Sequence, residues 1–229
     1  HIARALRMAV GDHLIVCDSD GYEYDGTLEK IRDDICAVRL EKCRIAKGEP
    51  PVFITLYMAY PKGDKLETVI QKAVELGASR IVPFESSRCI KRPKADKVAH
   101  VLDRQRRIAT EAAKQSGRAH LPTVNAPLSF SAMLKEASAY PLALFCHPSD
   151  VTVSLRATLA EHKDVRRIAI VVGSEGGFSE SEVAAAENAG LIPTSLGARV
   201  LRCETAPLFL LSAIAYEYEL PVSADFSSL

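Results

Sequence analysis

From Val52 onward, apolar runs of strand length alternate with runs of helical periodicity. The strand-like runs are Val52–Met58, Arg80–Phe84, Pro141–Cys146, Arg167–Val172 and Ile192–Leu196. The helical runs between and after them are Asp64–Leu76, Lys94–Gln115, Val153–Glu161, a capped run from Ser179 to Gly190, and Pro207–Leu220. Such alternation is typical of a parallel sheet covered by helices. The pattern therefore predicts an α/β domain.

The residues before Val52 have a different pattern. Three short strand-like runs, His13–Cys17, Tyr22–Ile31 and Ile35–Arg44, are separated by turn-forming residues. Short strands with turn signals between them predict a small β-barrel. Two prolines end the segment Lys47–Pro51, and because proline disfavours both helices and central strands, we expect a linker there.

Two unusual segments follow strand-like runs in the last quarter of the chain, at Val171–Ser179 and Leu196–Ala206. Each lies where an apolar run gives way to a helix, and ligands bind outside the carboxyl ends of parallel strands. Glycines there let main-chain groups approach a ligand closely. A single glycine loop is more often a tight turn, but two such ends predict one shared binding site made largely of main chain.

Several ligand classes are disfavoured by motifs that the sequence lacks. It contains no G-x-x-x-x-G-K-[ST] and no early G-x-G-x-x-G, which argues against a P-loop nucleotide site and a Rossmann site. No G-x-S-x-G elbow supports a hydrolase. The six cysteines are scattered without a C-x-x-C pair, so we expect reduced thiols, no metal site and a cytoplasmic protein. No apolar run is long enough for a membrane span.

Charge is balanced overall but not locally. Between Ser86 and Arg118 there are ten Lys or Arg residues against three acids. A basic stripe in a neutral protein indicates a polyanion-binding surface, although a solvated helix face explains this segment equally well.

The motifs resemble those of a known family. Gly173–Ser179 reads Gly-Ser-Glu-Gly-Gly-Phe-Ser and Leu196–Ala206 reads Leu-Gly-Ala-Arg-Val-Leu-Arg-Cys-Glu-Thr-Ala. Together with Tyr60–Asp64, Lys72–Gly77 and Glu111–Arg118, in that order, they resemble RsmE-type ribosomal RNA methyltransferases of the knotted SPOUT superfamily. The resemblance covers nearly the whole chain. Ser174 stands where the family pattern leads us to expect proline, and Cys203 where it leads us to expect threonine.

The resemblance implies a fold of two domains. Residues 1–49 would form a PUA-like RNA-binding β-barrel, here without its first strand. Residues 52–229 would form an α/β SPOUT methyltransferase domain, in which the Leu196–Ala206 segment and the last helix pass through an earlier loop as a knot. The pattern of the sequence does not predict the knot, since connections in ordinary α/β folds rarely thread loops.

The resemblance also implies S-adenosylmethionine as cofactor, bound without a metal. Its implied binding residues are Gly173, Glu175, Gly176, Gly177, Leu196, Gly197, Leu201 and His147. Phe178 either packs on the ligand or anchors the loop in the core, and we favour the anchor. His147 is either a proton shuttle or a hydrogen-bonding group that orients the ligand.

The implied reaction is methylation of N3 of a uridine in small-subunit (16S) ribosomal RNA. Because N3 carries a proton at neutral pH, the reaction needs a base and a cation that stabilises the anion. Arg199 and Arg202 are the candidate cations. Glu204 is the first candidate base and Glu175 the second, although an acid just before a helix is also favoured by the helix dipole.

We expect RNA to be bound by basic residues along the chain, and the protein to form a homodimer through its apolar last helix. The candidate RNA-binding residues are Arg7, Lys62, Arg88, Arg92, Arg104 and Arg118. The partner would be 16S ribosomal RNA or the small ribosomal subunit. The alternative function is a non-catalytic RNA-binding protein of ribosome assembly, which the basic stripe supports and the glycine motifs do not.

Overall fold

A computed structural model of the chain describes residues 2, 6–33, 35–90, 95–147 and 153–220. These residues form two compact units. The first unit holds the described residues up to Glu49 and the short segment Gly117–Leu121. The second holds Pro50–Ser116 and the described residues from Pro122 onward. The sequence pattern does not predict that Gly117–Leu121 groups with the N-terminal residues.

The described part of the first unit contains a three-stranded antiparallel sheet. Its strands are β1 (His13–Cys17), β2 (Tyr22–Arg32) and β3 (Ile35–Ile45), paired in the order β1-β2-β3. The carboxylate of Asp18 accepts hydrogen bonds from the N–H groups of Asp20 and Tyr22, at 2.8 and 3.1 Å, and so shapes the first turn. The three predicted strands are confirmed, whereas closure into a barrel stays a prediction.

A buried ion pair holds the two parts of the first unit together. Nε and Nη2 of Arg118 lie 3.1 and 2.9 Å from the carboxylate of Glu49, and the Arg118 side chain is only 3% exposed. Glu49 also accepts a hydrogen bond from the N–H of His120 at 2.9 Å. Because a buried charge is tolerated only when it is paired, the contact fixes both segments.

The described part of the second unit is built on one sheet of eight strands. They pair in the order β6-β5-β4-β10-β8-β11-β9, with β7 beside β5, and every described pairing is parallel. The parallel sheet predicted from the sequence is therefore confirmed. The strands are β4 (Phe53–Ala59), β5 (Ala78–Glu85), β6 (Thr123–Val124), β7 (Leu128–Ser129), β8 (Leu142–Cys146), β9 (Val153–Ser154), β10 (Arg167–Val172) and β11 (Ile192–Ser195).

The central strands are β4 and β10, and their side chains form the middle of the core. Leu56, Tyr57, Ile170 and Val171 are completely buried, so neighbouring residues on both faces of the sheet are covered. The helices are α1 (Lys65–Glu75), α2 (Val98–Gln115), α3 (Phe130–Ala137), α4 (Leu155–Glu161), α5 (Glu180–Asn188) and α6 (Thr205–Tyr218). Pro207 lies in the first turn of α6, where proline is tolerated.

The structure differs from the predicted elements between α2 and β8. β6, β7 and α3 have no predicted counterpart, because two-residue strands show no periodicity and prolines interrupt this part of the sequence. Ser129 caps α3 by accepting a hydrogen bond from the N–H of Ala132 at 3.2 Å. Val153–Ser154 form strand β9 instead of the predicted first turn of α4.

α5 begins with the predicted capping box, which also holds a second loop. Ser179 and Glu182 exchange hydrogen bonds between each side chain and the other's backbone N–H, at 3.3 and 2.9 Å. The same carboxylate accepts hydrogen bonds from the N–H and Oγ of Ser87, at 2.7 and 2.8 Å. Burial opposes ionisation of Glu182, but these hydrogen bonds outweigh burial and lower its pKa.

Replacing Glu182 with glutamine should lower the free energy of unfolding by about 1–3 kcal/mol at pH 7, because charge-assisted hydrogen bonds become neutral ones. The folded-state pKa of Glu182 is lowered, so its stabilisation is complete above the unfolded-state pKa and is lost as pH falls through the folded-state value. Urea unfolding of the parent protein and of the Glu182→Gln variant should therefore show a difference in the free energy of unfolding that becomes smaller at acidic pH.

Glu180→Gln is the matched control, because Glu180 lies in the same helical turn and is exposed. Its free energy of unfolding should stay within about 0.5 kcal/mol of the parent protein. An equal loss in both variants, or a Glu182→Gln difference that persists unchanged at low pH, would contradict the assigned role of Glu182.

Candidate active site

The carboxyl ends of β10, β8 and β11 lie side by side. β8 pairs in parallel with both neighbours, and Cys146 at its end is in register with Val172 of β10 and Thr194 of β11. Parallel strands end at the same edge of a sheet. The segments that follow them, Gly173–Ser179, His147 and Leu196–Glu204, are therefore brought together.

These segments line a cavity of about 660 Å³. Every residue that the sequence predicts to bind a cofactor lies on its wall, namely Gly173, Glu175, Gly176, Gly177, Leu196, Gly197, Leu201 and His147. Arg199 and Arg202 line it as well, and Glu204 directly follows the lining residue Cys203. Cavities of roughly 300–1,000 Å³ are typical of small-molecule sites.

Glycine is required at two positions of the cavity for different structural reasons. Gly197 has φ +102°, which favours glycine, and a Cβ there would meet no protein atom within 4 Å. A Cβ on Gly176 would lie 3.0 Å from the Cβ and 3.2 Å from the carbonyl oxygen of Arg88. The space beside Gly197 is thus open, whereas at Gly176 the close packing against Arg88 by itself already requires glycine.

Phe178 anchors the first glycine segment in the core, as we favoured from the sequence. Its ring is 4.4 Å from that of Phe145 and stacks on Phe84 at 6.3 Å between centroids. The residue is only 3% exposed. Since aromatic contacts of this kind are rigid and well packed, they fix where the segment leaves β10.

Lys65, the first residue of α1, connects the two glycine-containing segments. Its Nζ lies 2.9 Å from Oε1 of Glu175 and 3.1 Å from Oε2 of Glu204. Glu175 also accepts hydrogen bonds from the backbone N–H of Lys62, at 3.1 and 3.2 Å. Burial opposes ionisation of Glu175, but the hydrogen bonds from Lys65 and the backbone outweigh it and lower its pKa to about 2.

Glu204 is held ionised by its surroundings too. A backbone hydrogen bond, the thiol of Cys203 at 3.2 Å and the ammonium of Lys65 lower its pKa against a smaller opposing effect of burial. Arg202 and Arg199 are exposed, and Nη1 of Arg202 lies 4.0 Å from Oε1 of Glu204. The site therefore contains two arginines that can reach a bound molecule and two ionised carboxylates.

The imidazole of His147 is neutral at pH 7. Burial lowers its pKa and outweighs the opposing charge of Glu187, and the charge of Arg88 adds a smaller lowering effect. A neutral imidazole has one donor and one acceptor nitrogen, so His147 can make both kinds of hydrogen bond to a molecule in the cavity.

The predicted RNA-binding residues have different environments. Arg88 is exposed beside the cavity and donates a hydrogen bond to the carbonyl oxygen of Gly176 at 3.1 Å. Arg104 is exposed on α2, and its Nη2 lies 2.7 Å from Oε2 of Glu67 on α1. Lys62 and Arg7 are exposed, whereas Arg92 lies outside the described residues.

Arg118 corrects one of these predictions. Its guanidinium is buried and paired with Glu49, so it has no surface to offer a phosphate group. The prediction that it is an RNA contact is wrong, and its role is to hold the first unit together. A basic residue next to a glycine looks the same in sequence whether it is exposed or buried.

Several side chains that line the cavity are not among the residues predicted from the sequence, and Lys65, Cys146 and Cys203 are the ones with titratable groups. Lys65 has no periodic or motif signal that points to it, apart from its place three residues after Lys62. Cys146 and Cys203 also line the cavity. Burial raises the pKa of these thiols to about 11 and about 12, the latter helped by Glu204. Both cysteines are therefore protonated and unreactive at neutral pH.

Among the residues that the structure describes, no cluster of three or more His, Cys, Asp or Glu side chains is arranged to hold a metal ion. None of the described helices has the length and apolar character to cross a membrane.

Two family models match the chain. One, described as an RNA methyltransferase domain, matches residues 48–215. The other, described as an RNA methyltransferase PUA domain, matches residues 1–41. The predicted PUA-like domain at the N-terminus is thereby confirmed.

The chain is also similar to named proteins along most of its length. The ribosomal RNA small subunit methyltransferase E of Bacillus subtilis (strain 168) is 33% identical over 224 residues, which are 96% of this chain and 88% of the relative. A putative methyltransferase from Legionella pneumophila, solved with bound S-adenosylmethionine, is 31% identical with a TM-score of 0.83, over 94% of this chain and 87% of that one.

A third protein is a ribosomal RNA small subunit methyltransferase E from Neisseria gonorrhoeae, solved bound to S-adenosylmethionine. It is 28% identical, with a TM-score of 0.83, over 94% of this chain and 87% of that one. The family match over residues 48–215 and the 33% identity over nearly the whole chain show that the protein belongs to the RNA methyltransferase family of the ribosomal RNA small subunit methyltransferases E.

Proposed function

We propose that the protein is an S-adenosylmethionine-dependent methyltransferase that methylates N3 of a uridine in 16S ribosomal RNA, free or within the small subunit. The observation that carries this proposal is the cavity that the segments Gly173–Phe178 and Leu196–Cys203 line together in a chain of this family. Two relatives with this fold are described as bound to S-adenosylmethionine.

The cavity fits S-adenosylmethionine in its chemistry as well as its size. The space beside Gly197 is open, so main-chain groups of Leu196, Gly197 and Leu201 can meet the adenine, with Gly173, Gly176 and Gly177 alongside. The ionised Glu175 favours the cationic methionine part, and His147 can donate and accept hydrogen bonds. When bound, the cofactor supplies a methyl group on a positively charged sulfur.

The arginines and Glu204 can prepare the acceptor nucleotide. Uracil N3 must lose its proton before it can attack a methyl group, and cations near the uracil oxygens favour the resulting anion. Arg199 and Arg202 are exposed at the cavity, and we assign this role to them. Because these cations make N3 more acidic and so reduce the basicity that the reaction requires, we assign the proton-accepting role to Glu204, which is ionised at neutral pH.

Two features of the family fold are part of the proposal. In residues 52–229, the Leu196–Ala206 segment and α6 would thread an earlier loop as a trefoil knot. In residues 1–49, the strands β1, β2 and β3 would belong to a closed RNA-binding barrel, which the PUA match over residues 1–41 supports.

The proposed RNA-binding residues are Arg7 in the first unit and Lys62, Arg88, Arg92 and Arg104 in the sequence of the second. The four described members are exposed. Each phosphate contact removed should reduce the slope of log affinity against log salt by roughly 0.7–0.9, so Lys62→Gln combined with Arg104→Gln tests this role in a filter-binding titration. An unaltered slope would identify these residues as a solvated face.

We also propose a homodimer that contains α6 in its interface, and a cytoplasmic location, in which the free thiols persist. One side of α6 is buried through Leu210, Leu211 and Ile214, but Phe209 and Tyr216, seven residues apart, are 43% and 70% exposed. Two large exposed apolar side chains on one helical face are suited to a symmetric interface. Light scattering that gives the mass of one 24.9 kDa chain would contradict the dimer.

The reaction is tested by incubating the purified protein with S-adenosylmethionine and small subunits from a strain that lacks the homologous enzyme. Mass spectrometry of the nucleosides should show 3-methyluridine formed in 16S RNA. Glu204→Gln keeps a hydrogen-bond acceptor for Lys65 but cannot take a proton, so turnover should fall by about 10²–10⁴-fold while cofactor affinity changes little.

Glu161→Gln is the matched control, because it makes the same substitution on α4 at a residue that does not line the cavity. This variant should keep full activity. RNA binding with no cofactor binding and no methylated nucleoside would instead identify an RNA-binding protein. Full turnover in Glu204→Gln would exclude Glu204 as the base.

A further inference from the structure

We propose that Lys65 is a positioning residue that joins the two halves of the cofactor site. The inference rests on the proposed function for the identity of the ligand. It assigns a role in the cavity to a residue of α1, a helix that supplies none of the predicted site residues. Lys65 acts through Glu175 and Glu204 and is not assigned any contact with the reacting atoms.

The position of Lys65 is fixed by the core and not by the cavity. The next residues of α1 that face inward, Leu66, Val69 and Ile70, are at most 5% exposed. α1 therefore provides a rigid support for the Lys65 side chain. The glycine-containing segments, in contrast, leave the sheet after β10 and β11, and the contacts that anchor the first segment, through Phe178 and Arg88, do not join it to the second.

Lys65 supplies that contact to both segments at once. The same Nζ lies 2.9 Å from Glu175, in the segment after β10, and 3.1 Å from Glu204, in the segment after β11. The backbone N–H of Lys62 adds a second hydrogen bond from this region to Glu175. The residues that precede and begin α1 thus determine the distance between the two walls of the cavity.

Charge explains why the contact needs a cation. Two carboxylate oxygens that share one ammonium are close to each other, and without the ammonium they would repel. Among the residues that the structure describes, the other charged or titratable groups in contact with this cluster are Cys203, which is protonated, and Arg202, whose side chain is 82% exposed. Arg202 is 4.0 Å from Glu204 and has no described contact with Glu175, so it cannot replace Lys65 as the bridge.

The individual ion pairs are not the source of a large stabilisation. The side chains of Lys65, Glu175 and Glu204 are 33%, 28% and 24% exposed, and water screens partly exposed pairs. The effect that we assign to Lys65 is therefore local. It sets the geometry and the ionisation of the cavity, while the fold as a whole is held by the core.

The test compares the affinity for S-adenosylmethionine of Lys65→Met, Lys65→Arg and Lys72→Met by titration calorimetry. Lys72→Met is the matched control, because Lys72 lies on the same helix and its ion pair within the described residues is local, with Glu75 at 2.8 Å. Lys65→Met should bind S-adenosylmethionine at least about threefold more weakly than the parent protein. The corresponding change in binding free energy lies within the range of interaction energies found for residues of one salt-bridge network. Lys65→Arg, which can bridge two carboxylates, and Lys72→Met should bind like the parent protein.

The pH dependence separates this role from a general effect on folding. In the parent protein both carboxylates have lowered pKa values, so they stay ionised between pH 8 and pH 5. The affinity of each variant is compared with that of the parent protein at the same pH, which cancels the titration of His147 that both proteins share. In Lys65→Met the two carboxylates repel, one of them takes up a proton more readily, and the affinity relative to the parent protein should fall as the pH is lowered towards 5. Thermal unfolding should remain close to that of Lys72→Met.

Equal affinities and equal pH profiles for Lys65→Met and the parent protein would overturn the inference. A parent protein that binds no S-adenosylmethionine would overturn the proposed function instead. If Lys65→Met does not fold, Lys65→Gln serves in its place, since glutamine is neutral and can donate to only one carboxylate strongly. The loss of affinity is then expected in the same direction, and its absence counts against Lys65.

Discussion

The candidate site depends on the parallel pairing of β8 with both β10 and β11. This pairing brings the ends of three strands to one edge of the sheet, so that Cys146 is in register with Val172 and with Thr194. Parallel neighbours require crossover connections, which place β10 and β11 far from β8 along the chain. Two segments about twenty residues apart consequently become opposite walls of one cavity.

The rest of the second unit makes this edge rigid. Phe178 locks the start of the first segment into an aromatic cluster with Phe84 and Phe145. Glu182 ties the start of α5 to the loop at Ser87, and Arg88 in that loop contacts Gly176. Lys65 reaches both walls from α1. The cavity is therefore defined by main chain that neighbouring side chains hold in place, which suits a site that must keep its shape before a ligand arrives.

Much of this arrangement is predictable from the sequence, for reasons that differ between elements. Hydrophobic runs separated by helical patterns predict the parallel sheet, and Ser179 with Glu182 predicts the start of α5, because both signals are local. The motifs at the strand ends predict a shared binding site, and the eight cofactor residues that the family resemblance implies there all line the cavity. Short elements such as β6 and β7 contain too few residues to show a periodic pattern of hydrophobic residues.

Long-range pairing is the part that sequence patterns do not contain. Nothing in the local sequence distinguishes Lys65, which bridges two distant carboxylates, from Lys72, which pairs within its own helix. The same limit applies to Arg118, which belongs to a basic stretch by composition but is buried against Glu49. The contact between Gly176 and Arg88 is equally unpredictable from local sequence, because the two residues are 88 positions apart in the chain.

The central claim is that the open space beside Gly197 belongs to an S-adenosylmethionine site. It is tested most directly by titration calorimetry of Gly197→Val against Gly190→Val. Both glycines have a positive φ, +102° for Gly197 and +83° for Gly190, and a Cβ on either residue meets no protein atom within 4 Å. The backbone strain that valine introduces is therefore matched in the two variants. Of the two residues, only Gly197 lines the cavity. The account predicts that Gly197→Val loses at least about tenfold in affinity and that Gly190→Val binds normally. A folded Gly197→Val protein that binds the cofactor as well as Gly190→Val does would contradict it.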